Sequence, residues 1–200
     1  MAPSRLNFVH SSSTMQVFTI NAFVHGQQFP LVYGLLPGKS RETYNKFFMV
    51  VKEEAMQRGI SFSPNETMAD FELALVQSLE LQFPGARIHG CYFHFAQCLW
   101  RKVQSLGLVE EYREDDSIRY FIQKSAAIAF VPLNFVRVSW DGLKAEMPDD
   151  ERVESFAIYI YIDQTWMNGN FRPHMWNYYA HTGPRTNNHL EGWHNHMKRI

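Results

Sequence analysis

The sequence is poor in cysteine, with only Cys91 and Cys98 among 200 residues. Two thiols this close in sequence do not make a disulfide framework, so a packed core has to hold the fold, and a reducing compartment fits. Long apolar runs are also missing. The longest, from Ala126 to Val136, is interrupted by Pro132 and falls short of the ~18 residues that a membrane span requires. The opening MAPSRLNFVH has no apolar stretch of signal-peptide type. These absences predict an intracellular, soluble chain with no membrane partner. Neither sign of charge is in excess: the net charge is -1 and the pI about 6.8. That excludes a global electrostatic footprint for nucleic acid, so any such binding must come from a local patch. No repeat or low-complexity tract appears. Aspartate is absent before Asp70.

What is present is core material. At 46% hydrophobic and 20% charged, the chain suffices for one domain with a substantial interior. Charge is unevenly placed. EEYREDD (110–116) and DDERVE (149–154) are acidic, whereas from Gln164 to Ile200 the only acid is Glu191. That tail carries Arg172, Arg185, Lys198, Arg199 and five histidines.

Residues 1–14 read as irregular, with a polar break at Ser11-Ser12-Ser13-Thr14. Met15 to Val24 and Phe29 to Leu36 are rich in β-branched and aromatic residues and predict a hairpin. Ser40 is placed to cap a helix that runs through Tyr44, Phe47, Phe48, Val51 and Ala55 to about Gly59. The stretch from Pro64 to Trp100 predicts strand, helix, strand, helix. Asp70 stands where a strand hands over to a helix that lasts until Phe83-Pro84-Gly85, then Ala86 to Cys91 is strand-like, and Cys91-x-x-His94 opens a helix reaching Leu106-Gly107. This is an α/β unit with polar chemistry at strand ends. Residues 108–165 read as a helical insertion, including a helix from about Asp149 to Ile162. Thr186-Asn187-Asn188 leads into a closing helix with Glu191 and Trp193.

FTINAFVHGQQFPLVYGLLPGKSRETYNKFF, then MADFELA, then FPGARIHGCYFHFAQCLWRKVQSLGL, then WNYY and RTNNHLEGWHNHM together resemble the MULE (Mutator-like element) transposase domain. The resemblance runs from about Met15 to the end. It implies an RNase H-like α/β fold over residues 15–200: a mixed sheet flanked by helices, with the insertion ahead of the last catalytic helix. It also implies the family's chemistry, in which two aspartates and a glutamate hold two divalent ions, Mg²⁺ or Mn²⁺. Such ions, ~4 Å apart, clamp the attacking and leaving oxygens of an in-line phosphoryl displacement. By this resemblance Asp70 corresponds to the second aspartate and Glu191 to the glutamate, both metal ligands. The first aspartate, expected on the first, central strand, has no counterpart, since SRLNF stands there. Both ends therefore look cut, with the central strand missing or degenerate, and the expected DNA cleavage and strand transfer should be lost. A non-catalytic DNA-binding or regulatory role is the alternative. The implied partner is transposon-end or target DNA in the nucleus, and a homo-oligomer is admitted but not required.

Each candidate has a plainer reading. On the residues alone Asp70 reads first as a helix N-cap, an order that the resemblance reverses, and Glu191 reads as an exposed helix residue. Cys91 and His94 are read, with Asn188, as supports of the carboxylates. They could instead be half of a zinc site completed among His189, His194 and His196. Arg185, Lys198 and Arg199 are the candidate phosphate contacts, with Trp176, Tyr178, Tyr179 and Trp193 as base-stacking partners. For these aromatics a place in the core is the better expectation.

Overall fold

The computed structural model describes residues 16–25, 27–146, 158–182 and 185. A hairpin opens the described chain: β1 (Gln16–Val24) pairs antiparallel with β2 (Gln27–Leu36), Gln16 opposite Leu36 and Val24 opposite Gln27. The register slips between Ile20 and Asn21, and Asn21 faces Pro30. Proline has no N–H to give to the ladder, so the irregularity falls where the pairing is weakest.

Helix α1 (Arg41–Gln57) starts as the sequence predicts, with Ser40 in extended backbone accepting a hydrogen bond from the Thr43 N–H. It stops at Gly59, whose positive φ of 72° lets the following N–H groups reach back to the last carbonyls. Phe47 and Phe48 turn from α1 onto Phe18 of β1, closing an aromatic cluster under the hairpin.

The α/β unit follows: β3 (Glu66–Ala69), α2 (Leu73–Gln82), β4 (Arg87–Gly90) and α3 (Tyr92–Ser105). β3 and β4 are parallel, in register from Glu66↔Arg87 to Ala69↔Gly90, and α2 is the crossover between them. Leu75, Val76, Leu79 and Phe83 bury themselves against α1 and the strands, and buried Ser78 donates to the Arg41 carbonyl at 3.0 Å. Among the described residues the strands form two separate two-stranded sheets, β1-β2 and β3-β4, so the chain is mixed α/β with small sheets.

Beyond Gly107 the described chain is helical: α4 (Val109–Glu114), α5 (Asp116–Ala127), two 3₁₀ turns (Ile128–Phe130 and Leu133–Phe135) and α6 (Val136–Ala145). Then come α7 (Ile158–Ile162), a π-helical turn (Asp163–Met167) and the short α8 (Pro173–Trp176). The predicted helix from Asp149 is described only from Ile158 onward. A second core lies here, built on Phe95, Leu99 and Val103 of α3 with Ile118, Phe121, Trp140, Trp166 and Trp176. Fully burying such side chains is worth ~1.5–3 kcal/mol each, so α3 is the post to which the helical half is fastened. Phe171 packs against both cores, its ring 5.3 Å from that of Phe71.

Candidate functional site

Parallel pairing of Ala69 with Gly90 brings the C-terminal ends of β3 and β4 side by side. Asp70 and Cys91, one residue beyond each end, are thereby neighbours, and the Cys91 N–H donates to the Ala69 carbonyl at 3.0 Å. Cys91 is the fully buried N-cap residue of α3. His94, in the first turn of that helix, swings back so that its Nδ1 lies 2.9 Å from Asp70 Oδ1. The Asp70 hydrogen bond, then that of Cys91, raises the His94 imidazole to about 10. His94 is therefore a cation at neutral pH, held between a carboxylate and a sulfur.

Asp70 does not cap α2. That helix begins at Leu73 with Glu72 at its N-cap and no side-chain cap bond. Asp70 stands before the cap because its carboxylate is engaged by His94 from another element. Glu72 is instead the acceptor in a second cluster: Tyr44 donates to it at 2.7 Å and Lys39 pairs with it at 3.0 Å. Burial, then this carboxylate, pushes the Tyr44 phenol well above its ordinary value. Glu72, two positions after Asp70, was not singled out from the sequence.

The strand end is locked from the helical half. Tyr178, fully buried, donates its hydroxyl to the Gly90 carbonyl, and its own N–H donates to Ala129 O at 2.7 Å. Burial above all raises its phenol, keeping it a donor. Arg185 reaches the same corner by its backbone, its carbonyl accepting from the Tyr92 N–H at 2.9 Å. Its guanidinium lies 5.2 Å from the centre of the Phe130 ring. Trp176 and Tyr178 are core, as expected, whereas Tyr179 is exposed. Nearby, His89 is 7% exposed, with neither ring nitrogen hydrogen-bonded and its ring 4.7 Å from that of His181. Burial, then His181, lowers its pKa.

Of the predicted site residues, then, Asp70, Cys91, His94 and Arg185 meet at one corner. Glu191, Asn188, Lys198, Arg199, Trp193 and the histidines His189, His194 and His196 lie outside the described residues. Among the described residues no three His, Cys, Asp or Glu side chains are grouped as metal ligands. Asp70 brings one carboxylate with an imidazolium already on it, and Glu72 is tied to Tyr44 and Lys39. Two hard divalent ions need several anionic oxygens without a competing cation. The described residues do not by themselves fit such a centre. Among them, no helix is long and apolar enough to cross a membrane.

The described residues place an acid, a thiol and an imidazole at the adjoining strand ends of an α/β unit. Residues 8–98 match the family described as the MULE transposase domain, so the hairpin and the α/β unit as far as Cys98 carry that family's signature. The WNYY and RTNNHLEGWHNHM segments lie beyond the matched residues. No curated protein and no solved structure matches the chain.

Proposed function

We propose that this chain is a transposase-derived, RNase H-like domain whose ancestral reaction was metal-dependent cleavage and joining of DNA, and that the chain as written does not perform it. The family match supports the derivation. The order hairpin, helix, then parallel strand-helix-strand supports the architecture. The observation that carries the loss of activity is the His94 imidazolium seated on Asp70. An attacking oxygen and a leaving oxygen on phosphorus both gather negative charge, and a carboxylate that already holds a cation is a poor ligand for the divalent ions that would absorb it.

The test is incubation of the purified chain with supercoiled and linear DNA in Mg²⁺ or Mn²⁺. No nicking above background is expected. Metal-dependent nicking that disappears in Asp70→Asn would overturn the claim of inactivity.

The second reading, non-catalytic DNA binding in the nucleus, is favoured by Arg185. Its exposed side chain is tied by its backbone to the start of α3, beside the strand ends. Binding on this reading survives Asp70→Asn and weakens in Arg185→Ala with Lys198→Ala. Absence of binding at low salt would sink it.

A further inference from the structure

The hairpin turns one face to α1 and the other away from it. Phe18 meets Tyr44, Phe47 and Phe48, and a Cβ at Gly34, its cross-strand partner, would overlap the Phe47 ring, so this pair marks the inner face. Successive residues of a strand alternate between faces. Val17, Thr19, Asn21 and Phe23 therefore belong to the outer face, together with Leu35 and Tyr33, which lie opposite Val17 and Thr19. At the register slip Leu31 is passed over and Pro30 falls opposite Asn21, which carries the outer row of β2 onward. Val17, Phe23, Leu31, Tyr33 and Leu35 are 48% to 56% exposed. An antiparallel sheet with one face on the core ordinarily shows polar side chains to water on the other, and here the outer face is largely apolar. Residues 16–36 also contain no Asp, Glu, Lys or Arg, in a chain of which 20% is charged. Phosphate contacts rest on Lys and Arg, so this face does not suit nucleic acid. Few charges and several aromatics are the composition of the buried centre of a protein–protein interface.

We propose that the outer face of the hairpin is a dimer interface, stacked on the same face of a second copy of this chain about a twofold axis. The inference is independent of the nuclease and DNA-binding readings. A twofold contact brings identical groups together, and a face without charge meets its copy with no like-charge repulsion to overcome. An extended sheet face packs best on another sheet face, ~10 Å away, with the two rows of side chains interdigitating, and the hairpin of a second copy supplies that shape. Pro30 withholds a donor from β2, which favours stacking by faces over pairing by edges. The area also fits. Half-exposed side chains of this size leave ~90 Å² each, and with Thr19, Asn21 and Pro30 the face offers on the order of 500 Å². A pair then buries about 1,000 Å², the lower limit of a specific interface, so the dimer is a weak one that forms in the micromolar range.

Sedimentation velocity of the full chain, over a concentration series reaching several hundred micromolar, tests the proposal. The wild type is expected to pass from monomer to dimer along the series. Val17→Glu with Leu35→Glu would bury unpaired charge in the stacked faces and should weaken association on the order of tenfold or more. Val138→Glu, at a position on α6 that is 61% exposed, should leave association unchanged. If the Glu pair fails to fold, Val17→Thr with Leu35→Thr keeps strand-forming residues, removes apolar area and should still weaken the dimer. Mixed at low salt with Val17→Lys and Leu35→Lys, the Glu pair should associate again, because the two faces then carry opposite charge. A wild type that stays monomeric throughout assigns the face to another partner and overturns the proposal. So does a dimer indifferent to both the Glu and the Thr pairs, one lost equally in Val138→Glu, or a Glu–Lys mixture that stays monomeric.

Discussion

Gly90 sets how closely the loop after β3 approaches β4. A Cβ there would overlap the Phe71 ring, which sits between Asp70 and Glu72 and packs edge-on to Trp166, 4.7 Å between ring centres. Gly90→Ala must displace that ring and, with it, the Asp70 carboxylate. The expected loss is ~1–3 kcal/mol in urea unfolding, the usual cost of overpacking. The same variant should let the His94 imidazole fall back toward its ordinary pKa, read by NMR titration. The site also fixes a pH dependence. His94 is raised in the folded state, from 6.5 to about 10, so its stabilisation is complete below pH 6.5 and is lost as pH rises through 10. His89 is lowered, so its contribution runs the other way and is lost as pH falls below 6.5. Thermal stability should therefore peak near neutrality. The alkaline decline should vanish in His94→Asn, and the acid one should shrink in His89→Asn. A melting temperature flat from pH 7 to 10 would contradict the Asp70–His94 pairing.

Tyr178 ties the helical half of the chain to the end of β4. Tyr178→Phe leaves the buried Gly90 carbonyl without this donor, which should cost ~1–3 kcal/mol with little change of shape. Exchange should quicken first at β4 and the start of α3. An effect confined to the helical half would contradict the tie. That bond spans 88 positions and is invisible in the sequence. What is legible there is local. Ser40 announces α1 through its own hydroxyl and Thr43, and β-branched alternation announces the hairpin. The start of α2 is misread as Asp70 for the converse reason. An aspartate at a strand-to-helix junction has the local chemistry of a cap, but a histidine from a different helix, 24 positions on, claims it. The corner formed by Asp70, Cys91 and His94 is legible as a set of strand-end residues. Glu72 and the His89–His181 pair are not, since their significance arises only when α1 and residue 181 fold against them. The π-helical turn at Asp163–Met167 likewise has no local signature, and its buried Trp166 belongs to the core around Phe95.

At the scale of the whole molecule, a net charge of -1 means that DNA affinity, if the second reading holds, must come from few contacts. Each phosphate neutralised adds about 0.9 to the magnitude of the slope of log K against log salt, so a small patch gives a shallow dependence. Arg185 is the described member of that patch. Its guanidinium is steadied over Phe130, so little side-chain entropy remains to be lost on meeting a phosphate. Arg185→Ala should therefore weaken binding to all duplex sequences alike and reduce the slope by about 1. Because the residue is exposed and its bond to Tyr92 is made by the backbone carbonyl, the fold should survive the substitution. Fluorescence anisotropy across a salt series reads both quantities at once. An unchanged slope in Arg185→Ala, with wild-type binding intact, would remove the strand-end corner from the DNA surface and shift it to another face of the molecule.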